Sequence, residues 1–340
     1  MTHRARIFVV AALAIVLLGG YAAYWFYIAA QLEKGINDWV AFQRQRGVTV
    51  AFERTSIGGF PFAFSTTFRQ PHIAGAFAGQ SFDWRGSDVE GSVSPLDLHA
   101  MTFSGPGHHA LDLGAGPAMV DANDLSVRLG LDNFGQVSSL ALKFADLKVV
   151  FPDGQAVAAA SGDATLAAGP PPKSDADPLL QFGLSAKELK LPEGIALLTA
   201  DPLGEARIVG TVKGPMPIAP LRQALASWRD AGGTVEVTDF ALAQATLALS
   251  GSATVALDDT LQPIVAANLK ARGLAATLDL LASQRRIYPE DALKMKLFVK
   301  GAERDTKEGY KEVATGLTVQ GGYLSWGPFK LAKVPVIQWP

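Results

Sequence analysis

The sequence predicts a mainly β protein with a few helices (α+β): an N-terminal transmembrane helix followed by a large curled antiparallel β-sheet. Three observations carry this prediction. The chain opens on an uncharged apolar run. Beyond it, apolar and polar residues alternate with period two in many short segments. Those segments are divided by turn residues, in a chain holding 34 glycines and 20 prolines.

The opening run extends from Ile7 to Ala30 without a charge. About 24 residues make roughly 36 Å of helix, enough for a hydrocarbon core of about 30 Å. Arg4 and Arg6 precede it, which sets the bulk of the chain on the non-cytoplasmic side. Its second half carries Tyr21, Tyr24, Trp25, Phe26 and Tyr27, the ring types of an interfacial belt. Ile7, Leu17, Tyr24, Trp25 and Tyr27 are the candidate membrane-anchor residues. A cleaved secretory signal is the competing reading, with Gly20-Tyr21-Ala22 as a weak cleavage site. The chain has no cysteine. A lipid attached through a thiol and a disulfide are both excluded, and the exported region is held by its core alone.

Gln31 to Arg46 continues as a helical stripe of Leu32, Ile36 and Trp39 or Val40, with Gln43 next in phase, and ends before Gly47. Val48, Val50 and Phe52 then alternate with Thr49, Ala51 and Glu53, and Ser56-Ile57-Gly58-Gly59 makes a turn. Phe60, Phe62, Phe64 and Phe68 follow on one face of one expected strand, with Pro61 at its edge or start. Four such rings form either sheet core or an apolar groove wall. Period-two segments continue to residue 167. In Leu140–Phe151 the apolar phase slips, from Leu140, Leu142 and Phe144 to Leu147, Val149 and Phe151, which calls for a bulge or break near Ala145-Asp146.

Residues 168–178, with Pro170-Pro171-Pro172, pack as neither helix nor strand; they separate a pair of domains or form a long loop in one sheet. The organisation is thus a stub and anchor over 1–30, a β-rich region over 31–167, a Pro-rich linker or loop over 168–178, and a β-rich region with inserted helices over 179–340. The helices are expected at Ile218–Trp228, at Leu274–Arg286 and, on a pattern that also alternates like a strand, at Pro289–Lys300.

The chemistry is sparse. Thirty basic and 32 acidic residues leave a net charge of −2 with no basic cluster, which argues against nucleic acid as a partner. His99, His108 and His109 are the best metal candidates, but adjacent side chains of an extended segment point apart, and a solvated turn explains them better. Asp121-Ala122-Asn123-Asp124 lacks the glycine and the closing glutamate of a calcium loop. Gly114-Ala115-Gly116 is half a dinucleotide fingerprint outside its βαβ setting. With no nucleophile elbow, zinc-protease helix or phosphate loop, no enzyme and no cofactor are expected.

The anchor, a short helix and the Gly58-Gly59-Phe60-Pro61-Phe62 strand, followed by Ser94-Pro95-Leu96-Asp97-Leu98-His99, then Trp228 with Gly232-Gly233, and finally Gln320-Gly321-Gly322 with Trp326-Gly327-Pro328, resemble the layout of domain-of-unknown-function family 2125. These are membrane-anchored bacterial envelope proteins. More distantly the pattern is similar to AsmA-like proteins, which implies an inner-membrane anchor, a curled sheet with an apolar trough and lipid traffic. The expected function is a periplasmic lipid-handling module. Its groove candidates are Phe60, Phe62, Phe64 and Phe68, and its partners are the inner membrane and a phospholipid or other envelope lipid. The alternative is a non-enzymatic structural protein that binds an envelope protein partner.

Overall fold

A computed structural model of the chain describes residues 3–77, 80–192, 202–306, 309–326 and 329–339, with side chains described from residue 16 on, apart from 77, 329, 331 and 332. Helix α1 (His3–Gln45) is a single helix of 43 residues, about 64 Å long. The expected stretches 7–30 and 31–46 are therefore one element. Nothing between them breaks it: Leu32, Glu33 and Lys34 are good helix formers, and the stop comes at Gly47, whose φ is +79°. Leu32, Ile36, Val40 and Gln43 are half-buried in phase, and Trp39 is exposed, so the stripe turns on Val40. Among the described residues no helix is long and apolar enough to cross a membrane. The side chains from Ile7 to Ile15, the first stretch of the candidate anchor, lie outside the described residues.

The first half of the sheet consists of β1 (Thr49–Arg54), β2 (Phe64–Phe77), β3 (Gln80–Gly86), β4 (Val89–Ser94), β5 (Asp97–Ser104), β6 (Gly107–Asp112), β7 (Pro117–Ala122), β8 (Asp124–Leu131) and β9 (Val137–Val150). Then come β10 (Ala156–Ala168), β11 (Pro178–Leu189), β12 (Leu203–Lys213), α2 (Leu221–Asp230), β13 (Thr234–Gln244), β14 (Leu247–Leu257) and β15 (Pro263–Arg272). The chain closes with α3 (Leu274–Ser283), α4 (Pro289–Ala302), β16 (Arg304–Asp305), β17 (Lys311–Gln320), β18 (Tyr323–Trp326) and β19 (Phe329–Lys333).

Every described pairing is antiparallel. Strands β3 and β4 lie end to end along β2, with His72 opposite Arg85 and Phe68 opposite Val89. Strands β6 and β5, and then β7 and β8, continue the same two tiers to β9. From β9 onward each long strand pairs with the next, up to β15, β17, β18 and β19. Residues 168–178 join β10 to β11, which pair from Ser161–Lys187 to Ala168–Leu180, so this segment connects neighbours within one sheet. Helix α2 begins at Leu221 and leaves Ile218 outside; α3 ends at Ser283; α4 is helical from Pro289, with Glu290 and Asp291 in its first turn.

The sheet is a single layer. A compact chain of 35.9 kDa exposes about 13,300 Å² by the size scaling of folded monomers, whereas this one exposes 21337 Å². Helices cover only limited areas of it. Trp25 and Ala29 of α1 pack on Phe64, and Leu278 of α3 and Val299 of α4 pack on Val313. Helix α1 runs along β1 from Phe64, at the start of β2, to the far end, where the Arg44 guanidinium donates to the Val50 carbonyl at 2.7 Å. The end of the sheet at which β2 starts is termed the basal end. The alternation of strands brings to it the connections 55–63, 95–96, 132–136, 169–177, 214–233, 258–262 and 321–322.

Candidate functional site

The basal end is tied to α1 by aromatic side chains. The Phe62 and Ala63 amides both donate to the Gly59 carbonyl at 3.0 Å, closing a tight turn over 59–63. Gly59 has φ +92°, and a Cβ there would stand 2.7 Å from the Ala63 carbonyl oxygen. Strand β2 therefore starts only at Phe64, and the expected row of four rings on one strand face is corrected. Phe64 is buried under Trp25, their rings stacked at 5.0 Å. Phe68 meets Phe52 edge-on at 5.0 Å. Phe60 packs in the turn against Trp25 and Phe26, at 5.5 and 5.9 Å, while Phe62 points free of the protein.

The candidate anchor residues divide in the same way. Leu17, Tyr24 and Tyr27 are exposed. Trp25 is only 2 % exposed, and its indole N–H donates to the Ala63 carbonyl at 3.2 Å. The Tyr21 hydroxyl donates to the Pro61 carbonyl, and that of Tyr24 to the Pro95 carbonyl at 3.1 Å. Helix and sheet thus meet through a fixed junction at the end of the apolar run, with backbone carbonyls of two basal loops as the acceptors.

The sheet registers show a surface that single strands did not reveal. One transverse row runs Phe64, Val93, Met101, Leu129, Leu140, Leu166, Phe182, Gly210, Val237, Ala253, Ala267, Leu317, Trp326, each opposite the next. No polar side chain interrupts it. Twelve inter-strand steps at about 4.8 Å make roughly 58 Å. A parallel row on the other face, three residues along each strand, reads Glu90, Ser104, Ser126, Lys143, Asp163, Ser185, Arg207. The sheet has one apolar and one polar face. The apolar face is covered at one margin by α1 and at the other by α4, where Phe298 meets Trp326 edge-on at 4.9 Å. Between them it lies open: Leu166 is 40 % and Leu184 is 49 % exposed.

The slip in β9 explains how the face stays continuous. Asp146 has φ +50°, and Phe144 and Leu147 on either side of it belong to one cluster with Ala159, Ala186 and Leu189. The left-handed residue rotates the strand so that both apolar sets face the same way. Glu188, also at positive φ (+51°), does the same between Ala186 and Leu189.

Polar chemistry gathers elsewhere. His108 and His109 lie on β6, a strand rather than the expected solvated turn. His108 pairs with Asp121, while His109 is buried on the apolar face, stacked on Trp84 at 6.0 Å, with Nε2 2.6 Å from the Gly105 carbonyl. Among the described residues no three His, Asp or Glu side chains are grouped to hold a metal ion. The His72 hydrogen bond holds the Asp83 carboxyl below its ordinary range. Asp177 is lowered by the backbone amides of Lys173 and Ser174, and Asp258 by the Thr260 hydroxyl and the Gln262 amide. The latter two carboxylates close turns, and none of the three faces the apolar row.

Fold and face together define a class of protein: a helix-headed antiparallel meander one layer thick, apolar on one side and polar on the other. The chain belongs to the family described as "Uncharacterized protein conserved in bacteria (DUF2125)", whose model matches residues 25–335. The match starts at Trp25, the residue that docks α1 on the sheet. No curated protein and no solved structure matches the chain.

Proposed function

We propose that this protein is held in the bacterial inner membrane by the N-terminal segment of α1, with the sheet on the periplasmic side, and that it binds lipid on the apolar face of the sheet. The observation that carries the reading is the uninterrupted apolar row, on a face left open at Leu166 and at Leu184 beside it, and running up to the helix that bears the apolar segment. A face of this size left to water is costly, at about 25 cal/mol for each Å². Acyl chains laid across the strands remove that cost and leave headgroups at the rim. The apolar run Ile7–Ala30 and the arginines before it support the anchor and its orientation.

The test is purification of the full chain in a mild detergent, followed by lipid extraction and mass spectrometry. Phospholipid bound in defined stoichiometry is expected, and Leu166→Asp with Leu184→Asp is expected to abolish it while the far-UV circular dichroism stays unchanged. Full chain that carries no lipid and takes none up from vesicles refutes the lipid reading. Crosslinking of the same face to one defined envelope protein favours a partner-binding role instead.

A further inference from the structure

The most exposed large apolar side chains are not on the open face. Among the described residues, those more than four-fifths exposed are Phe62 at 87 %, Leu96 at 91 %, Phe134 at 89 % and Ile218 at 98 %. They come from four separate connections, 55–63, 95–96, 132–136 and 214–233, and the alternation of strands places all four at the basal end. It is also the end at which the apolar segment of α1 leaves the sheet, with Val16, Leu17 and Leu18 exposed beyond the junction.

We infer that the basal rim of the sheet rests in the headgroup region of the bilayer that holds α1, with Phe62, Leu96, Phe134 and Ile218 as shallow apolar wedges. The inference builds on the anchor reading above and adds to it the orientation of the sheet: strands upright on the membrane, α1 as a fixed strut.

Two further features support this occupant. The first is the set of bonds that fix the rim to the helix. Tyr21 and Tyr24 bond the carbonyls of Pro61 and Pro95, so Phe62 and Leu96 sit at the level of the ring belt, where a span would meet the interface. The second is preorganisation of the tips. Asp132 accepts the amides of Phe134 and Gln136 at 2.8 and 2.9 Å, and Ser94 accepts that of Leu96 at 3.2 Å. Phe62 rides on the turn closed at Gly59. Loops held in this way present an apolar residue outward at little ordering cost, which suits insertion into lipid.

The absence of cysteine makes the test clean. Single cysteines are placed by Phe62→Cys, Leu96→Cys, Phe134→Cys and Ile218→Cys, with Leu17→Cys for the anchor and Leu113→Cys, in the turn at the opposite end, as control. Each full chain is labelled with an environment-sensitive dye and reconstituted into vesicles of phosphatidylcholine and phosphatidylglycerol in equal amounts. Nitroxide lipids then report depth. The four rim positions are expected to shift to the blue and lose emission to shallow nitroxides, Leu17→Cys to deep ones, and Leu113→Cys to neither. Deep quenching at Leu17→Cys with rim positions that match Leu113→Cys overturns the rim contact and leaves the anchor standing. A Leu17→Cys label that stays in water overturns the anchor reading and the rim contact with it.

Discussion

Trp25→Ala removes the side chain that locks α1 to the sheet. The indole is buried, stacks on Phe64, meets Phe60 and Phe26 edge-on at 5.5 and 5.1 Å, and donates to Ala63. Truncating a buried tryptophan costs about 3–5 kcal/mol through lost burial and the cavity left behind. Within that total the ring stacking accounts for about 0.5–1.5 kcal/mol and the hydrogen bond for about 1 kcal/mol. Trp25→Phe retains most of the ring and drops the N–H, so about 1–2 kcal/mol is expected for it. Urea unfolding of the full chain in detergent, followed at the strand signal of circular dichroism, reads both variants. In a double-mutant cycle with Phe64→Ala the two losses should fall short of additivity by about 1 kcal/mol, because the stacked pair is counted twice. If Trp25→Ala unfolds within about 0.5 kcal/mol of the parent, the junction is not a structural contact and the fixed strut fails with it.

Three other expectations follow from backbone and charge. Asp146→Val should lose about 1–3 kcal/mol, because a β-branched residue resists φ +50°, whereas Asp146→Gly, which loses the same bond from Asn123 but adopts that φ freely, should lose clearly less; chemical denaturation compares them. Gly273→Ala should destabilise the start of α3 by more than about 2 kcal/mol. Its φ is +75° and a Cβ would lie 1.8 Å from the Thr246 carbonyl oxygen, so loss of helix signal and a lower melting temperature are expected. The Asp258 carboxyl is held below its ordinary range by Thr260 and Gln262, so its stabilisation is complete above the unfolded value near 3.9 and fades as pH falls through the lowered folded value. Melting temperature against pH should therefore show a shallower acid limb in Asp258→Asn, and an unchanged limb would remove this turn as a contributor.

The alternating pattern was legible wherever side chains are strictly two-sided, as in Leu125–Leu131 and Leu140–Phe144. The break near Asp146 was legible as well, because a phase slip in one strand is a local signal. What the slip achieves was hidden, since it depends on which residues of β8 and β10 lie opposite. Phe60, Phe62 and Phe64 misled for the opposite reason. Their spacing is that of a strand, but the amides of Phe62 and Ala63 bond Gly59 instead of a neighbouring strand. Gly58-Gly59 before a cluster of rings was the available sign. Trp25 looked like a member of an outward belt because its burial depends on the Ala63 carbonyl 38 residues away. The transverse row and the rim were beyond reach for a single reason: both are properties of register between segments, and no single segment encodes them.

In this sheet the order of strands in space follows their order along the chain, apart from the two tiers of the first half. From β9 to β15 each new strand thus finds its partner already made, whereas the rung between β15 and β17 waits until α3 and α4 have been passed. Loop closure stays short between most of these neighbours, and such local contacts keep folding fast. A chain synthesised from its N-terminus can therefore lay down α1, dock Trp25 as soon as β2 exists, and extend the sheet one strand at a time, with two growing edges while the tiers form and one from β9 onward.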